Sequence, residues 1–66
     1  MNKPKIKSGD FIRTTVHEPE YFSLGQRGLC CAVLEDEQWI DGYAYFIAFN
    51  EGVFWYLEAD EFEAEQ

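Results

Sequence analysis

After Arg27 the chain has no basic residue. Its five bases (Lys3, Lys5, Lys7, Arg13 and Arg27) precede Gly28, ten of its 13 acids follow it, and the formal net charge is −8 over 66 residues. Such a field repels nucleic acid, whose binding depends on Lys and Arg neutralising phosphates, so direct binding of DNA or RNA is not expected. A basic surface is attracted instead, and that includes the nucleic-acid groove of another protein. Histidine is scarce too. His17 stands alone beside Glu18 and Pro19, with no Ser or Cys presented to it. The two cysteines, Cys30 and Cys31, are adjacent in a strand-like run, where neighbours point to opposite faces and a bridge between them would be strained. They read as reduced, small apolar residues, since a metal or redox role needs spaced Cys and His partners.

Long apolar runs are also missing. No stretch approaches the roughly 20 apolar residues of a membrane span, and the Lys-rich start leads into no apolar segment of a signal peptide. A cytoplasmic protein with no membrane association is expected. The acids lack the spacing of a Ca²⁺ loop. The Gly25-Gln26-Arg27-Gly28 stretch lacks the following Lys-Ser or Lys-Thr of a phosphate cradle. Without a nucleophile and base, a metal cluster or carboxylates paired in a cleft, no catalytic residue, cofactor or metal is expected, and the chain reads as a non-enzyme.

What the chain has in abundance is aromatic: six Phe, four Tyr and two Trp. Each can bury roughly 150–250 Å², enough to give so short a chain, one domain over 1–66, a core without metal or disulfide staples. The organising stretch is 43–57, where two apolar β-forming runs flank Asn50-Glu51-Gly52 and predict a hairpin. A three-residue loop with Gly third suits a type I turn followed by a left-handed residue. It sets Phe49 opposite Val53, Ile47 opposite Trp55 and Tyr45 opposite Leu57, all six on a core face. The other face carries Ala44, Phe46, Ala48, Phe54 and Tyr56, with no polar residue for water. Two readings of that face stand. Either Tyr21 and Phe22 of the 17–24 loop, or Trp39, cover it, or it stays exposed as an acid-rimmed protein-binding patch.

Around the hairpin the chain predicts a flexible basic arm over 1–8, a strand over 11–16 and a loop over 17–24 whose Tyr21, Phe22 and Leu24 fold over the core. A tight turn at 25–28, a strand over 29–34 and an acidic connection over 35–42 follow. Trp39 and Ile40 in that connection either extend the next strand or cap the core. A 3₁₀ turn is expected over 58–61, then Phe62 as a last core residue and a frayed acidic tail over 63–66. Four or five short antiparallel strands with no useful helical period argue an all-β fold, a small barrel or strongly bent sheet.

The order Gly9-Asp10-Phe11-Ile12-Arg13, then Gly25-Gln26-Arg27-Gly28, then Tyr45-Phe46-Ile47-Ala48-Phe49 before a Gly turn, then Glu61-Phe62-Glu63, resembles the SH3-like barrel superfamily. The layout is similar to KOW-type domains and to small photosynthetic subunits built on that barrel, and it covers 8–63. The resemblance implies a fold and a docking role. The chain departs from the nucleic-acid-binding and ferredoxin-docking branches in its charge, since both need basic surfaces.

The expected function is that of a small acidic interaction module, binding and regulating or inhibiting a protein with a basic surface, in its sharpest form as a nucleic-acid mimic. The alternative is an accessory or assembly subunit of a larger enzyme or electron-transfer complex. Candidate partner-binding residues are Trp39, Phe46, Phe54 and Tyr56 for affinity, with Glu35, Asp36, Glu37, Glu51 and Glu58 steering encounter. A homodimer through the aromatic face is a third outcome.

Overall fold

A computed structural model describes residues 3–65. Met1 and Asn2 of the basic arm and Gln66 of the acidic tail lie outside the described residues. Five strands form, β1 (Phe11–Thr14), β2 (Arg27–Glu35), β3 (Tyr43–Ala48), β4 (Phe54–Leu57) and β5 (Phe62–Ala64). They make one open antiparallel sheet in the order β4-β3-β2-β1-β5, so that consecutive strands are neighbours and the last returns to the free side of the first. The all-β class follows from short β-branched and aromatic runs separated by turns.

The hairpin pairs as expected, Tyr45 with Leu57 and Ile47 with Trp55, and the Phe49 amide donates to the Val53 carbonyl at 2.7 Å. Its turn differs in type. Glu51 (φ 55°) and Gly52 (φ 79°) are both left-handed, and the Val53 amide donates to the Asn50 carbonyl at 3.1 Å. Two successive positive φ values mark a type I′ turn, whose twist matches that of the flanking strands; the type I turn expected from Gly52 alone would splay them.

β2 begins two residues before the expected position. Arg27 and Gly28 belong to the strand, paired with Arg13 and Ile12, and the reversal falls to Gly25 at φ 76°. Gly28 has a packing reason to be glycine: a Cβ there would stand 2.5 Å from Ile47 Cγ2 and 3.0 Å from Phe49 Cε1. The ladder between β2 and β3 shifts at Cys31, which bulges out between Cys30 opposite Ile47 and Ala32 opposite Phe46. One thiol is therefore buried and the other exposed, and burial pushes the Cys30 thiol pKa up.

Ile12, Cys30, Tyr45, Ile47, Leu57 and Phe62 form the centre of the core, closed by Ile6 and Phe22. Phe22 stacks on Phe49 at 4.9 Å and Tyr21 on Trp55 at 3.9 Å. Leu24, expected beside them, is 67% exposed, because the turn at Gly25 carries it away from the sheet. Trp55 shares the core parity of Ile47 and Leu57 but stays 39% exposed; it sits on an edge strand with the Tyr21 ring against it. Ile40 is 64% exposed, outside β3, which begins only at Tyr43.

Two polar groups hold the ends of the chain to this core. The Lys5 amide donates to the Tyr45 hydroxyl at 2.8 Å, and Lys5 Nζ donates to the carbonyls of Ala59 and Phe62 at 2.8 and 2.7 Å. Buried Thr14 accepts from the Gln26 amide at 2.9 Å and donates to the Ser23 carbonyl, so its hydroxyl is satisfied. The 58–61 segment is a turn closed by the Glu61 amide on the Glu58 carbonyl at 3.0 Å. The Glu61 carboxylate accepts from the Glu58 amide at 2.7 Å.

Candidate protein-interaction surface

Strand alternation sends Phe46, Phe54 and Tyr56 to the face opposite the core, and there they meet one another. Phe46 stacks on Phe54 at 5.3 Å, nearly coplanar at 9°, and tilts against Tyr56 at 4.9 Å. The register explains it: Phe46 is directly opposite Tyr56, Phe54 is diagonal to it, and the small Ala48 opposite Phe54 leaves room for the rings. Phe54 remains 46% and Tyr56 44% exposed. Tyr21 and Phe22 lie on the core side, against Trp55 and Phe49, so the 17–24 loop does not cover this face. The patch continues across β2 and β1 through Ala32, Leu34, Leu29 and Phe11, paired in turn with Phe46, Ala44, Ala48 and Leu29.

The acids divide between two ends of the hairpin. Glu35 closes β2 opposite Tyr43, Asp36 and Glu37 follow it, and Glu58 succeeds Leu57, which pairs with Tyr45; these lie at one end. Glu51 is at the turn, seven residues beyond Ala44 in sequence and up to about 24 Å away at 3.4 Å per residue. The nine candidate residues thus make no single cluster. Phe46, Phe54 and Tyr56 form the centre, Glu35, Asp36, Glu37, Trp39 and Glu58 one end, and Glu51 the other.

The 35–42 connection is compact. The Asp36 amide donates to the Gly42 carbonyl at 2.8 Å, the Trp39 amide to the Asp36 carbonyl at 3.1 Å and the Gly42 amide to the Trp39 carbonyl at 2.9 Å. The half-buried Trp39 is carried on this loop. Asp41, with no role assigned from sequence, anchors it by accepting from the Tyr43 amide at 3.0 Å and from the Tyr45 hydroxyl. Burial, reinforced by that carboxylate, pushes the Tyr45 pKa up to about 12.

The bases are largely committed to internal contacts. Lys5 binds two carbonyls and lies 5.0 Å from the Phe62 ring centre. Arg13 and Arg27 both hold Glu65, at 3.0 and 2.7 Å, and Arg27 also lies over the Phe11 ring at 3.7 Å. Arg13 is thereby held on the β1–β5 side, whereas Arg27, on β2, lines a shallow pocket with Leu29, Ala48 and Asn50 beside the turn end of the hairpin. Sequence reasoning missed Trp55 and Leu34 as surface residues. Leu34, 48% exposed, was legible from the alternation of β2; Trp55 was not, because its parity is that of the core.

Among the described residues no three His, Cys, Asp or Glu side chains gather as a metal-ligand set, and no helix is long and apolar enough to cross a membrane. Compared with known proteins, the chain matches no family model, no curated protein and no solved structure.

Proposed function

We propose that this protein is a small acidic interaction module that binds a partner with a basic surface and regulates or inhibits it. The observation that carries the reading is the Phe46–Phe54–Tyr56 stack, half-buried at Phe46 and exposed at Phe54 and Tyr56, in a chain of net charge −8. Large rings left in water cost hydration free energy that a partner's surface recovers. Aromatic anchors with a charged rim are the usual anatomy of such a site. Acids at both ends of the hairpin would meet lysines and arginines, and a nucleic-acid mimic acting on a DNA- or RNA-processing enzyme is the sharpest form of this reading. The five-strand meander, with β5 returning beside β1, supports the SH3-like barrel as the proposed fold family. An exposed reduced thiol at Cys31 suits a cytoplasmic location.

Affinity capture from the source cytosol, using the wild-type chain and Phe54→Ser as parallel baits, tests the proposal. Retention of a basic-surfaced protein by the wild type and its loss with Phe54→Ser is the expected result. Equal retention by both baits, or a captured partner whose contact surface is acidic, overturns it.

A further inference from the structure

β4 is an edge strand with an unguarded backbone. The Phe49–Val53 bond fixes 49 opposite 53 as a hydrogen-bonded pair. By antiparallel alternation 47–55 and 45–57 are hydrogen-bonded pairs too, while 48–54 and 46–56 are not. The amides and carbonyls of Phe54 and Tyr56 therefore point away from β3, toward the free side of the sheet. The same alternation turns the next outward amide, that of Glu58, to the same side, where the Glu61 carboxylate receives it.

Natural edges are protected by lysine, proline, a bulge or extreme shortness. β4 has none of the first three, and its register with β3 runs without a shift from Tyr45–Leu57 to Ala48–Phe54. Its side chains are open on both faces, Phe54 at 46%, Trp55 at 39% and Tyr56 at 44% exposed. The other edge, β5, is three residues long and carries Glu63 at its centre.

We infer that β4 receives an extended, lysine- or arginine-flanked segment of another protein as a sixth strand. The inference deepens, and rests on, the reading of this chain as an acidic interaction module. Main-chain bonds to Phe54 and Tyr56 supply the common affinity of strand addition. Apolar side chains of the segment alternate between the Phe54–Tyr56 face and the Trp55–Tyr21 face, and basic residues at its ends meet Glu51 and Glu58. Charge selects this occupant over a second copy. Two β4 strands paired antiparallel about Trp55 would set Glu58 of one copy opposite Gly52 of the other, one residue from its Glu51, so acids of two chains of net charge −8 would crowd both ends of the seam, whereas a basic segment is attracted there.

The probe is a blocked peptide, Lys-Lys-Val-Thr-Val-Thr-Val-Lys-Lys, tested against the full chain with two controls. One control is N-methylated at alternate central amides, so that it keeps its charge and side chains but cannot donate to β4; the other has glutamate in place of each lysine. Binding is followed by tryptophan fluorescence, to which Trp39 and Trp55 both contribute, and by amide hydrogen exchange. The lysine peptide should bind and slow exchange at Phe54 and Tyr56, leaving Trp55 and Leu57, already bonded to β3, unchanged. N-methylation should weaken affinity about tenfold or more, and the glutamate peptide should not bind.

Equal binding of the N-methylated peptide, or unchanged exchange at Phe54 and Tyr56 in the bound state, overturns strand addition while leaving the acidic module intact. Equal binding of the glutamate peptide overturns the basic occupant. Self-association that protects the same amides without peptide, or no binding by about 1 mM peptide, also overturns the proposal. Failure of the module itself would appear separately, as a basic partner captured equally by Phe54→Ser.

Discussion

Four residues set how tightly the chain is specified at single positions. Glu51 holds a left-handed backbone without being glycine, a conformation Asn tolerates better than Glu. Glu51→Asn should raise stability by up to about 1 kcal/mol, whereas Gly52→Val, a β-branched residue at φ 79°, should lower it by about 1–3 kcal/mol. Denaturant midpoints moving in opposite directions would confirm the turn; a Gly52→Val midpoint equal to wild type would remove it. Gly28→Ala tests packing in place of dihedral freedom. Its new methyl must displace Ile47 and Phe49, an overpacking cost of about 1–3 kcal/mol, and a neutral result would show that the core gives way there. Tyr45 tests electrostatics. Its raised pKa, about 12, means that the folded state keeps its proton after the unfolded state has lost it. This contribution is fully present below about pH 10, the unfolded value, and is lost as pH rises through about 12, on the order of 2 kcal/mol. Tyr45→Phe should flatten that part of the pH–stability curve; a curve of unchanged slope would assign the alkaline loss to other groups.

At the scale of the element, the hairpin was legible because its two apolar runs and central Gly leave only one register that keeps Tyr45, Ile47 and Leu57 together on the buried face. A slip of one residue would send that set into water. What periodicity could not settle was depth. Trp55 and Ile47 are opposite one another on the same face, yet one is at the edge and the other wholly buried. Strand order decides between them, and β5 returning to β1 is a non-local event that no local window contains. For the same reason the 17–24 loop could be set on either face until its Tyr21 and Phe22 were seen to pack on the core side. Phe54→Ser and Phe49→Ser measure the difference. Phe49 lies partly buried between the Phe22 ring and the hairpin, so its truncation should cost about 3–5 kcal/mol and leave little folded protein. Phe54→Ser should leave the melting temperature within a few degrees while weakening partner binding by about 2 kcal/mol or more. Equal loss of stability in the two variants would refute an exposed aromatic face.

For the whole molecule, charge segregation was readable from composition alone, but the fate of the bases was not. Arg13 and Arg27 converge on Glu65 only because β1, β2 and β5 are neighbours. That leaves Glu35, Asp36, Glu37, Glu51 and Glu58 without an ion pair among the described residues. Partner binding should therefore weaken steeply between about 50 and 500 mM salt, as the Debye length contracts from roughly 14 to about 4 Å. Most of the change should fall on the association rate. Affinity independent of salt would make the acids a solubility device.

The stitch at Lys5 also governs the order in which the chain can become a protein. Lys5 reaches Ala59 and Phe62, and β1 pairs with β5, contacts separated by about 50 positions of sequence. The 43–57 hairpin can assemble from near neighbours within microseconds. β1 can pair with β2 early, but its pairing with β5 must wait for the last strand, so folding as a whole should fall in the millisecond-to-second range of non-local β topologies. Until β5 arrives, β1 has its own open side, and the growing chain carries two exposed strand borders in place of the single unguarded one at β4.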